Sequence, residues 1–131
     1  MGQAKQFEDL EVWQAAKNVV VQVYRLTRDR MLAKDYGFKD QLQRAAVSIM
    51  ANIAEGHERG GSREYIQFLY IAKGSAAEAR SLVHVGKDLG YLSEQQRSDI
   101  LDQLVGIARQ LGGFIRYLEK GPPPAPPRNP S

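Results

Sequence analysis

Residues 93–121 read SEQQRSDILDQLVGIARQLGGFIRYLEKG, and this stretch decides the fold class. It opens with Ser93-Glu94-Gln95-Gln96, a capping box in which a serine hydroxyl and a glutamine side chain satisfy each other's backbone amides. Ile100, Leu104, Ile107, Leu111, Phe114 and Leu118 then recur at steps of three and four, the spacing of one helix face. Gly121 ends the pattern, as glycine does at helix C-termini. A start signal, a periodic apolar stripe and a stop signal together specify one long amphipathic helix.

Working backwards, the same logic finds three more. Residues 62–90 carry Tyr65, Phe68, Leu69, Ala72, Ala76, Ala79, Leu82 and Val83 on one face. Ser62, after Gly60-Gly61, is expected to cap that helix, and Gly90 to end it. Residues 37–55 repeat Leu42, Ala45, Ala46, Ile49 and Ile53. Residues 10–30 place Trp13, Ala16, Val20, Val23, Tyr24 and Thr27 together, with Asp9 positioned to cap the start. All six prolines fall between Pro122 and Pro130, so no proline interrupts the body of the chain. Strand patterning is absent. The expectation is an all-α, up-down-up-down antiparallel four-helix bundle over residues 1–120, followed by a flexible proline-rich tail over 121–131.

Composition narrows the chemistry. Of 131 residues, 43% are hydrophobic, enough for a core without metal or disulfide staples. There is no cysteine, which removes thiol catalysis and cysteine-based zinc sites. The charged N-terminus has no signal-peptide core, and no apolar run reaches the ~18 residues of a membrane span. The expected location is cytoplasmic. His57 and His84 show no metal-ligand spacing and are expected at the surface.

The second helix departs from the pattern of an isolated bundle. Residues 45–54, AAVSIMANIA, contain no charge. Val47, Met50, Ala51 and Ala54 form a second apolar face, centred about 130° from the first. A bundle helix needs one apolar stripe, so this second face is expected to meet another subunit. The polar stripe of Arg44, Ser48, Asn52 and Glu55 lacks a nucleophile–base pair, and is read as a structural network rather than a catalytic site. No catalytic residue, cofactor or small-molecule substrate is inferred.

Net charge is +3, which permits an anionic partner without demanding one. Lys73, Arg80 and Lys87 repeat at heptad spacing on the third helix, and Arg109, Arg116 and Lys120 lie along the fourth, with Arg109 and Arg116 the candidate contacts there. Stripes of this kind can track phosphates. These five residues are the candidate nucleic-acid contacts. The leading expectation is a non-enzymatic oligomeric scaffold that binds RNA or a nucleic-acid-processing protein. The alternative is a protein–protein adaptor or structural ring without nucleic acid, for which the tail's Pro123-Pro124-Ala125-Pro126-Pro127-Arg128 offers a polyproline ligand.

Four motifs carry a family resemblance: Phe7-Glu8-Asp9-Leu10-Glu11-Val12-Trp13-Gln14, Arg44-Ala45-Ala46-Val47-Ser48-Ile49, Asn52-Ile53-Ala54-Glu55-Gly56 and Lys87-Asp88-Leu89-Gly90-Tyr91-Leu92. Together they resemble the bacterial four-helix bundle proteins encoded in 23S ribosomal RNA intervening sequences, over about residues 7–118. The resemblance implies a ring, typically pentameric, with no established enzymatic activity. It also implies kinship with accessory proteins of diversity-generating retroelements, hence a reverse-transcriptase-like partner. The chain departs from the family at Met50, where proline is usual, and at His57, where an aromatic residue is usual.

Overall fold

The computed structural model describes residues 6–121. A 3-10 turn, Phe7–Asp9, leads into α1 (Glu11–Leu26), α2 (Arg30–Lys34), α3 (Tyr36–Arg59), α4 (Ser62–Asp88) and α5 (Glu94–Lys120). No strand occurs among the described residues. The proline-rich tail, with its polyproline motif, lies outside them.

Four long helices form the bundle. α1 packs on α3 and α5, and α4 packs on the same two, so α1 and α4 occupy opposite corners of a square. Short connections between successive long helices make neighbours antiparallel. The centre is filled by Ala16, Val19 and Val23 from α1, Leu42, Ala46, Ile49 and Ile53 from α3, Leu69, Ala72, Ala76 and Val83 from α4, and Leu104, Ile107 and Leu111 from α5. Each is at most 1% exposed. Fully burying one such leucine or isoleucine stabilises the fold by roughly 1.5–3 kcal/mol.

The helix ends follow local chemistry. Ser93 Oγ accepts from the Gln96 amide at 3.1 Å, and Gln96 Oε1 accepts from the Ser93 amide at 2.8 Å, completing the expected capping box. At the end of α4, Gly90 takes φ +79°, the Tyr91 amide donates to Gly86 O at 2.8 Å and the Gly90 amide to Lys87 O at 3.0 Å. This is a Schellman closure, which satisfies two carbonyls that the helix leaves open.

Four boundaries differ from expectation; the simplest is that of α3, which runs on to Arg59 and not to about residue 55. The first helix stops at Leu26 instead of reaching Arg30, because the Thr27 hydroxyl donates to Tyr24 O at 3.0 Å and accepts from Gln43 Nε2 at 2.9 Å. A separate short helix, α2, then starts on Asp29, whose carboxylate accepts from the Arg30 amide. Gly61 occupies the N-cap expected of Ser62, which is the first helical residue and makes no capping bond. Leu10, not Asp9, is the N-cap of α1, and Asp9 lies in the preceding 3-10 turn.

The buried face of α1 is also rotated from the expected one. Val12, Ala16, Val19, Val23 and Leu26 face inward, Trp13 and Val20 are half-buried, and Tyr24 is exposed. The valine-rich run Val19-Val20-Val21 supports either frame by hydropathy alone. Contacts with both α3 and α5 select the observed one.

Glycine accounts for the closest helix approaches. A Cβ on Gly56 would lie 2.8 Å from Phe68 Cβ and 2.9 Å from Tyr65 Cδ1, and one on Gly86 would lie 2.4 Å from Leu92 Cδ1. At Gly56 the neighbour is a Cβ fixed to the α4 backbone, so an added Cβ would push the helices apart, whereas at Gly86 the nearest atom is the end of the Leu92 side chain in the α4–α5 connection. Gly74 and Gly106 have open space instead.

A basic cleft between the third and fourth long helices

α4 and α5 enclose an open cleft of about 530 Å³, lined by Lys73 and Arg80 from α4 and by Val105, Ala108, Arg109, Gly112 and Arg116 from α5. Four of the five residues expected to contact nucleic acid therefore converge on one feature. Lys73 and Arg80 are separated by seven residues, as are Arg109 and Arg116, so each pair spans about 10.5 Å of helix axis. Because the helices are antiparallel, Lys73 faces the Arg116 end and Arg80 the Arg109 end. Gly112 marks this register: a Cβ placed there would meet Arg116 Nη1 at 3.4 Å and Lys73 Nζ at 3.9 Å.

No carboxylate lines the cleft. Among the described residues, none of its four cations makes an ion pair. Like charges held side by side without a counter-charge repel, and an anion placed between them relieves that repulsion. Val105, Ala108 and Gly112 give the floor small, apolar walls, so the long cationic side chains meet over it.

Lys87, the fifth expected contact, does not join them. It is half-buried two turns beyond Arg80, near Glu94. The Arg97 guanidinium binds the Glu94 carboxylate there and, with the added charges of Arg97 and Lys87, holds its pKa below the usual carboxylate range. Arg97 Nη1 also approaches His84 Nδ1 at 3.4 Å. That end of the bundle has mixed charge, and its cations have acidic neighbours.

The expected subunit-facing residues divide by depth. Ala51 is exposed, Ala54 is half-buried, and Val47 lines a shallow groove with Tyr24, Asp40, Gln43, Arg44 and Ser48. Met50 packs partly against the bundle's own core. The apolar face is therefore narrower than the sequence implies, because α1 covers one side of α3.

Two members of the polar stripe beside it, Ser48 and Asn52, form a hydrogen-bonded network. Ser48 Oγ and Ser75 Oγ lie 2.7 Å apart, and Asn52 Nδ2 donates to Ser48 O at 2.8 Å and to its Oγ at 3.0 Å. This network bridges α3 and α4. Arg44 instead pairs with Asp40 at 3.5 Å and Glu55 with Arg59 at 3.0 Å, both on the exposed surface.

His57 is not a surface residue, contrary to expectation. Its ring packs edge-on to Tyr65 at 5.9 Å, and Tyr65 in turn packs on Phe114 at 5.0 Å. Burial raises the Tyr65 phenol pKa far above its ordinary value. His57 thus fills an aromatic position in the wall of the bundle, which periodicity could not reveal because histidine reads as polar. Among the described residues, no group of three or more histidine or acidic side chains is placed to hold a metal ion. No described helix is long and apolar enough to cross a membrane.

Comparison with known proteins agrees with this architecture. A solved structure from Bacteroides thetaiotaomicron VPI-5482, a protein with unknown function from the S23 ribosomal protein family, superposes with a TM-score of 0.74 at 22% identity. The match covers 80% of this chain and 98% of that one, and at this identity it speaks for the fold. No curated protein matches the chain. The family model for the 23S rRNA-intervening sequence protein matches residues 8–113, most of the helical body. The chain belongs to the 23S rRNA-intervening sequence protein family.

Proposed function

We propose that this protein is a non-enzymatic, cytoplasmic scaffold that grips the phosphate backbone of RNA in the α4–α5 cleft. The observation that carries the reading is the convergence of Lys73, Arg80, Arg109 and Arg116 on one cleft that no carboxylate lines. A solvated face of mixed charge would distribute acids among them, as happens around Lys87. Phosphate contacts of this kind supply affinity without reading sequence, which suits a scaffold. The apolar residues Val47, Ala51 and Ala54 support self-association. The family resemblance favours a pentameric ring that repeats the cleft around an axis, with an RNA-bound or reverse-transcriptase-like enzyme as its partner.

The test is fluorescence anisotropy of the purified protein against a structured RNA across a salt series. A variant with Lys73, Arg80, Arg109 and Arg116 all changed to Gln should bind more weakly. Its log–log salt slope should fall by about 0.7–0.9 for each phosphate that the variant no longer neutralises. Unchanged affinity and slope would refute the assignment of this cleft.

The exposure of Ile71 and Val85 on α4 and of Leu89 at its C-cap favours a second reading, a protein–protein adaptor. Partners recovered with the tagged protein that persist after nuclease treatment would support the adaptor. Partners that vanish with nuclease would count against it.

A further inference from the structure

The aromatic residues that reach the bundle's surface differ in what holds their rings. Tyr91 donates its hydroxyl to Asp35, Tyr65 packs on Phe114, Trp13 on Phe7, and Tyr36 lies under the Lys39 ammonium. Tyr70 is 51% exposed, and its side chain makes no hydrogen bond or ring contact with any described residue. It sits on α4 three residues before Lys73, beside and not among the residues that line the cleft, next to the end marked by Lys73 and Arg116. Residues three apart on a helix are surface neighbours with Cβ atoms about 5–6 Å apart. Tyr117 is also exposed, but it adjoins Arg116 directly in sequence, and adjacent helix positions do not face each other.

A backbone-tracking basic groove with an unengaged aromatic ring at its rim is the combination that binds single-stranded nucleic acid. Phosphates lie along the cations and a base stacks on the ring. In a duplex both faces of each internal base are covered by neighbours, so the ring finds nothing to stack on. We infer that the α4–α5 cleft selects single-stranded over duplex nucleic acid, with Tyr70 as the stacking platform for the base next to the phosphate held by Lys73. This rests on the reading under "Proposed function" and adds to it the strandedness of the ligand and a residue outside the basic set. The Lys73–Arg116 and Arg80–Arg109 ends of the cleft lie about 10.5 Å apart along the helix axis, so the strand segment engaged is short.

The experiment uses a fluorescein-labelled ten-nucleotide RNA without self-complementarity, alone and annealed to its complement, with anisotropy read at fixed salt. Tyr70→Ala should weaken binding of the single strand by about 5- to 150-fold and leave duplex binding within about twofold. Tyr70→Phe, which keeps the ring, should bind the single strand like the parent. Tyr70 is half-exposed and outside the core, and an unchanged circular dichroism spectrum would confirm that the variants are folded. Equal losses on single strand and duplex, or no loss on the single strand, would overturn the inference. The four-glutamine variant separates the two ideas. If it abolishes binding while Tyr70→Ala does not, only the stacking role falls; if it binds like the parent, the cleft assignment falls as well.

Discussion

Replacing Gly56 with alanine isolates the close approach of α3 and α4. The new Cβ would sit 2.8 Å from Phe68 Cβ, an atom fixed to the α4 backbone, and 2.9 Å from the Tyr65 ring. Carbon atoms need about 3.5–4.0 Å, so the two helices must separate by roughly an ångström around this point. Overpacking of this kind costs about 1–3 kcal/mol. Removing a glycine from a helix interior returns about 1 kcal/mol. The net expectation for Gly56→Ala is a loss of about 0–2 kcal/mol. Gly74→Ala and Gly106→Ala are internal controls on the same types of helix, since nothing lies within 4 Å of either added Cβ. They should each be stabilised by up to about 1 kcal/mol. Thermal unfolding followed by circular dichroism reads the contrast directly. At about 4 °C per kcal/mol for a domain of this size, Gly56→Ala should melt roughly 4–12 °C below the controls. Equal melting temperatures, or a Gly56→Ala variant above its controls, would refute the claim that the glycine sets the helix spacing.

Two further perturbations test the supporting contacts. The Asp35 carboxylate caps α3, accepting from the Tyr91 hydroxyl at 2.7 Å and from the Phe38 amide at 3.1 Å. These bonds, the Tyr91 one first, hold its pKa below the ordinary carboxylate value, while the same bond pushes the Tyr91 pKa up. The Asp35 contribution is therefore present above the unfolded-state pKa and lost as pH falls through the folded one. The Tyr91 contribution is present below the unfolded phenol pKa and lost as pH rises through the folded one. Urea unfolding of Tyr91→Phe across pH should show a weaker dependence at both extremes than the parent, and a parent-like profile would sink the pairing. Gln22 and Gln103 exchange amide bonds across α1 and α5 at 2.6 and 2.9 Å. Gln22→Ala and Gln103→Ala should each cost about 1 kcal/mol, and the double variant less than their sum. Strict additivity in that cycle would mean the pair is not coupled.

The four long helices, the capping box at Ser93 and Gln96 and the stops at Gly90 and Gly121 were legible in the sequence. Each depends on residues within about one helical turn of one another, and local spacing records that range fully. The same spacing identified Lys73, Arg80, Arg109 and Arg116 as two stripes. It could not say that the stripes face each other, because the register of α5 against α4 is set by the packing of core side chains from both helices, Leu69 and Ala76 on one and Leu104 and Leu111 on the other among them. Nor could it separate Lys87 from Lys73 and Arg80, since the three share a heptad stripe. Only the fold sets Lys87 near Glu94 and the other two in a cleft lined by no acid.

The break after Leu26, the half-buried place of His57 and the partial burial of Met50 belong to the same class. Each was decided by a neighbour distant in the chain: Gln43 reaching Thr27, Tyr65 meeting the His57 ring, and the assembled core taking up Met50. Hydropathy and periodicity describe one helix at a time. The sequence by itself therefore determined that four long amphipathic helices form, because each one's apolar repeat and end signals are local. The tertiary structure alone decided which cations share a cleft and which glycines bring helices together, because both depend on the register between helices, and that register emerges only when their side chains pack.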